Sequence, residues 1–63
     1  MSINGREVIF EFSPIGNAVR VTAMDTQTKI EIVMQAPASS SESIIKRNAL
    51  KKLEYVLRKK GKL

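Results

Sequence analysis

At 63 residues the chain has room for one domain and one core, and a domain of this size buries only about 60% of the surface that its unfolded chain exposes. It contains neither cysteine nor histidine, which excludes disulfides and the common zinc ligands and leaves packing or self-association to stabilise it. The net charge is +5; no run approaches the roughly 20 apolar residues that span a bilayer, and the N-terminus MSINGREV does not resemble a secretory leader, so a cytoplasmic protein is expected.

Residues 7–12, EVIFEF, alternate between Val8, Phe10 and Phe12 on one face and Glu7, Ile9 and Glu11 on the other. That period of two predicts a half-buried strand. Ser13 to Asn17, with Pro14 and Gly16, reads as a hairpin loop. Alternation resumes over about 18–24, with Val19, Val21 and Ala23 facing the core and Arg20, Thr22 and Met24 facing out. A second turn at Asp25–Thr28 leads into a third strand over about 29–34, with Ile30, Ile32 and Met34 inward. Connections this short join neighbours antiparallel, because a parallel crossover takes a dozen residues or more. The expected register sets Phe12 opposite Val19 and Glu11 opposite Arg20 in the first hairpin, and Thr22 opposite Glu31 in the second.

Ser39 and Glu42 have the spacing of a capping box, which predicts a helix over about 40–60. Gly61 follows as a C-cap, and the basic last turn complements the helix dipole. At 100° per residue Ile45, Ala49, Leu50, Leu53, Val56 and Leu57 share one arc of roughly 140°, the core face. The expected fold is therefore α+β: a three-stranded antiparallel meander sheet packed on one C-terminal helix, a single domain over residues 1–63 with a few disordered residues at each end.

Charge is placed unevenly. Residues 1–45 carry three basic side chains against five acidic ones, whereas residues 46–63 carry eight basic side chains against Glu54 alone. Such asymmetry points to a polyanionic partner. The helical wheel clusters Arg47, Lys51, Arg58 and Lys59 on the exposed side, with Ile44 and Tyr55 among them. These cations and Tyr55 are the candidate contacts to an RNA or DNA backbone, the ring offering a stacking surface. Two plainer readings stand beside this one: a solvated helix face that aids solubility, and a tyrosine that covers the sheet edge. On the outer sheet face Glu7, Glu11 and Glu31 outnumber Arg20 and Lys29, so that face should repel nucleic acid. Its apolar members Ile9, Ala18, Met24 and Val33 are instead candidates for self-association or contact with another protein, as is the Ile44/Tyr55 patch on the helix.

An enzyme is not expected. The Ser39–Ser41 hydroxyls have no evident base nearby, and the glycines are too dispersed for a phosphate loop. No catalytic, cofactor-binding or metal-binding residue stands out, and no small-molecule substrate is implied. A membrane-surface helix is also disfavoured, because its apolar face is needed to cover the sheet.

EVIFEF at 7–12, IGNAVRVTAMD at 15–25 and IIKRNALKKLEYVLRKK at 44–60 resemble a family of short alphaproteobacterial proteins of unknown function. The resemblance covers nearly the whole chain and implies a stand-alone bacterial cytoplasmic protein with no known activity or site. In outline the predicted elements also resemble a double-stranded-RNA-binding domain lacking its first helix, for which residues 1–6 are too few; this likeness is one of topology alone.

Overall fold

The alternating runs become strands, and the amphipathic run becomes a helix. In the computed structural model, which describes residues 5–63, β1 (Val8–Ile15), β2 (Ala18–Asp25) and β3 (Glu31–Pro37) precede α1 (Glu42–Lys59). The strands form one antiparallel sheet in the order β1-β2-β3. The α+β architecture is thus the meander and C-terminal helix that the sequence predicts.

Both hairpin registers differ from expectation by two residues. Phe12 lies opposite Val21 rather than Val19, and Glu11 opposite Thr22, while Arg20 faces Ser13. The cause is Pro14: β1 continues through it to Ile15 instead of ending at Phe12, which an edge strand tolerates because one side of its backbone needs no partner. Only Gly16 and Asn17 remain as the turn, with Gly16 at φ 60° in the first central position, where a type II′ turn places glycine. In the second hairpin Thr22 faces Val33, and Met24 faces Glu31. Here Lys29 adopts φ 65° and belongs to the turn, its N–H donating to the Asp25 carbonyl at 2.8 Å. β3 therefore starts at Glu31 and runs on to Pro37. Since a slip of two preserves the face of every side chain, the core is unaffected.

The helix also starts later than predicted. Ser41, not Ser39, is the N-cap, with extended backbone angles and a hydroxyl that accepts from the Ile44 N–H at 3.4 Å. Pro37 to Ser40 forms a turn, closed by the Ser40 N–H on the Pro37 carbonyl at 3.0 Å, which takes Ser39 out of reach of the helix. Glu42 then sits in the first turn and pairs with Lys46 at 3.2 Å rather than reaching back to a cap. At the other end Lys60 is the C-cap and Gly61, at φ 70°, follows it. The Gly61 N–H donates to the Arg58 carbonyl and that of Lys62 to the Leu57 carbonyl, the paired bonds of a Schellman motif. Leu63, expected to lie outside the packed domain, packs against the core. The corresponding expectation for the N-terminal end lies outside the described residues.

Val21 and Ala23 on the central strand, Ile32 on β3, and Ile45, Ala49, Leu53 and Leu57 on α1 form the buried core. Each fully buried leucine contributes roughly 1.5–3 kcal/mol by removal from water. The helix lies over β2 and β3. Val8, Phe10 and Phe12 on β1 pack at its margin and stay half-buried, as do Val19, Ile30, Met34, Leu50 and Val56. Thus every side chain predicted to face inward does so. Among the described residues no helix is long and apolar enough to cross a membrane.

Candidate polyanion-binding helix face

With one side of α1 committed to the sheet, the opposite side is solvent-exposed by construction. Arg47, Lys51, Tyr55, Arg58 and Lys59 are all exposed there. Arg47, Lys51, Tyr55 and Lys59 follow one another at intervals of four residues, a single row with steps of about 6 Å.

The basic residues of the helix do not all have the same task. Lys46 pairs with Glu42 and lies over the Phe10 ring, 5.6 Å from its centroid, on the flank that borders β1. Lys52 reaches the opposite flank and donates to the Val33 carbonyl at 3.3 Å. Arg58 is bound to Glu54 at 2.9 Å, so much of its charge is locally neutralised. Arg47, Lys51 and Lys59 have no carboxylate partner among the described residues. The candidate set therefore sorts into three free cations, one partnered arginine, and Tyr55. The Glu42–Lys46 and Glu54–Arg58 pairs have i, i+4 spacing, a signal the sequence already carried; the Lys52 contact depends on tertiary packing and has no local signal.

Tyr55 does not cover the sheet edge. The residue is 62% exposed, the highest value among the described large apolar residues, and the Lys59 ammonium lies 5.8 Å from its ring centroid. A cation at that distance over an aromatic face is held by the ring quadrupole. Toward the N-terminal end of the row, Ser43, Ile44, Lys46, Arg47 and Leu50 line a shallow open depression of about 430 Å³.

The outer sheet face has a different character. Cross-strand pairing sets Ile9 beside Met24 and Met24 beside Glu31, and in the next row Glu11 beside Thr22 and Thr22 beside Val33. Ile9 and Val33 are 47% and 41% exposed, while Met24 between the two edges is partly buried. Ile9, Met24 and Val33 thus share one face, with Ile9 and Met24 adjacent and Val33 diagonal to them. Glu11 and Glu31 border the patch.

A polar cluster that sequence reasoning missed lies at the Val8–Asp25 end of the sheet, next to the Ile9–Met24 pair. Asp25 is fully buried, and its Oδ2 accepts from Arg6 Nη1 at 2.8 Å, Thr28 Oγ1 at 2.7 Å and the Thr28 N–H at 3.1 Å. The same guanidinium donates through Nη2 to the Lys62 carbonyl, tying the start of the described chain to its end. Burial pushes the Asp25 carboxyl up, but the Thr28 hydroxyl and N–H together with Arg6 outweigh it, leaving the group below its ordinary value. Local spacing could not have shown a contact between residues so far apart in sequence. Among the described residues no cluster of acidic side chains is arranged to hold a metal ion.

Residues 5–60 match a family described as a domain of unknown function (DUF6898). No curated protein and no solved structure matches the chain.

Proposed function

We propose that this chain, which belongs to the DUF6898 family, is a non-enzymatic binding module that engages a nucleic-acid backbone through the exposed row on α1. The observation that carries this reading is the division of labour among the helix cations. Lys46, Lys52 and Arg58 are engaged within the protein, yet Arg47, Lys51 and Lys59 stand in solvent with no carboxylate at salt-bridge distance among the described residues. Phosphates would offset their mutual repulsion and would release counterions on binding. Such contacts position a nucleic acid without reading its sequence. A bacterial cytoplasmic setting goes with this reading, as does the lack of cysteine.

A mobility-shift titration of the full chain with a mixed RNA pool tests it. Three phosphate contacts should weaken binding roughly 20- to 40-fold between about 50 and 200 mM salt. Replacing Arg47, Lys51 and Lys59 together with glutamate should abolish the shift; retention of binding by that variant would sink the proposal.

A second reading, a homodimer or protein-interaction module, is favoured by the juxtaposition of Ile9 and Met24 with Val33 on a face that no helix covers. Sedimentation of the free protein decides it, and a strict monomer at high concentration argues against it.

A further inference from the structure

We infer that the ligand of this helix face is a single-stranded nucleic acid, with one base stacked on the Tyr55 ring; the inference rests on the polyanion reading above. A surface that only tracked phosphates would have no use for a large aromatic ring at the centre of its row of cations. Tyr55 stands there, one turn after Lys51 and one turn before Lys59, and is more exposed than any other large apolar residue among those described. The Lys59 ammonium lies over the ring, 5.8 Å from its centroid, so a base stacking on that face would displace the ammonium outward, where it can meet the adjoining phosphate. Bases in a duplex are stacked on one another and offer no free face, whereas an unpaired base stacks on tyrosine whatever its identity.

The remaining surface is consistent with a short contact. From Arg47 to Lys59 the row spans about 18 Å, the reach of only a few nucleotides. Beyond the helix the acidic outer sheet face, with Glu7, Glu11 and Glu31, would repel a longer wrap. RNA and DNA single strands share the chemistry that this site reads, and either satisfies the inference.

The protein carries its own reporter, because Tyr55 is its sole tyrosine and it has no tryptophan. Tyrosine emission of the full chain is followed at one low salt concentration while single-stranded RNA, single-stranded DNA of the same sequence, the matching duplex and inorganic polyphosphate are added. Binding of each is measured separately by mobility shift or competition, and emission is corrected for absorption with a free tyrosine derivative. Expected results are quenching by single strands alone and tighter binding of single strands than of duplex. Tyr55→Ala should weaken single-strand binding roughly five- to 150-fold and polyphosphate binding by far less, whereas Tyr55→Phe should retain single-strand affinity. Circular dichroism confirms that the variants are folded. Equal binding of single strand and duplex without quenching, or an unaffected Tyr55→Ala variant, would overturn single-strand recognition while leaving the polyanion reading intact. Failure to bind any of the four would overturn both.

Discussion

Asp25 is a buried carboxylate in a protein that has few other polar groups inside, and its three hydrogen bonds all converge on Oδ2 while Oδ1 has no hydrogen-bond partner among the described residues. Its folded-state pKa is depressed, so the carboxylate form is the one the fold favours. The resulting stabilisation is fully present above the unfolded value of about 3.9 and is lost as pH falls from there through the lower folded value. Replacing Asp25 with alanine removes the partner of Arg6 and Thr28 and should cost about 2–3 kcal/mol at neutral pH. That is a large part of the roughly 3–9 kcal/mol available to a domain of this size. The gap between the urea midpoints of wild type and variant should hold from neutral pH to about pH 4 and narrow as pH falls further through the depressed folded value; a gap that stays constant would show that the charge of Asp25 is not what stabilises the fold. In the sequence Arg6 is one charge among many and Asp25 the first residue of a turn. Only the pairing of Val8 with Asp25 across the first hairpin brings the residues preceding β1 to the end of β2.

At the scale of the elements, alternation and helical periodicity were enough to assign all four, and every side chain they predicted to face inward does so, although Ala36 and Leu63 also pack on the core and were missed. These periodicities could not fix register, because a slip of two residues leaves the pattern of faces unchanged. Pro14 was read by residue type and Lys29 by alternation, and each behaves according to position instead: the proline sits in an edge strand, and the lysine takes a left-handed turn conformation normally left to glycine or asparagine. The N-cap was misplaced for a related reason. Three consecutive serines offer the same hydroxyl, and the turn made by Pro37 to Ser40 selects among them. Substitutions can separate the alternatives. Ser41→Ala should cost about 0.5–1 kcal/mol, toward the low end because the capping bond is long, whereas Ser39→Ala should be neutral. Gly61→Ala should cost about 1 kcal/mol through its left-handed backbone alone, since an added Cβ would meet no atom within 4 Å. Thermal or urea denaturation of the three variants checks both ends; equal losses at Ser39 and Ser41 would contradict the observed cap.

Across the whole molecule the two exposed faces carry opposite character, and this makes salt a diagnostic of which face is in use. The basic row on α1 could be located from the helical wheel, but its division into free and engaged cations needed the packing of Lys46 against Phe10 and of Lys52 against the edge of β3. Copies of a chain with net charge +5 repel one another, and salt screens that repulsion over a Debye length of about 10 Å at 0.1 M. Association through Ile9, Met24 and Val33 would be apolar at its centre, with Glu11 and Glu31 of both copies at its rim. Added salt should therefore leave such a dimer unchanged or strengthen it, while nucleic-acid binding weakens. Placing a glutamate at Met24 should abolish the dimer and spare nucleic-acid binding. A different assembly, in which the acidic sheet face of one copy meets the basic helix of another, would weaken with salt and would be head-to-tail, so that it extends into chains rather than closing. Sedimentation velocity of wild type and Met24→Glu at about 0.05 and 0.5 M salt separates the cases. A small closed species that is stable at high salt and absent in the variant identifies the sheet face as the contact; salt-sensitive polydisperse species would instead make the basic helix a competitor for its own protein's acidic surface, and nucleic acid should then dissolve them.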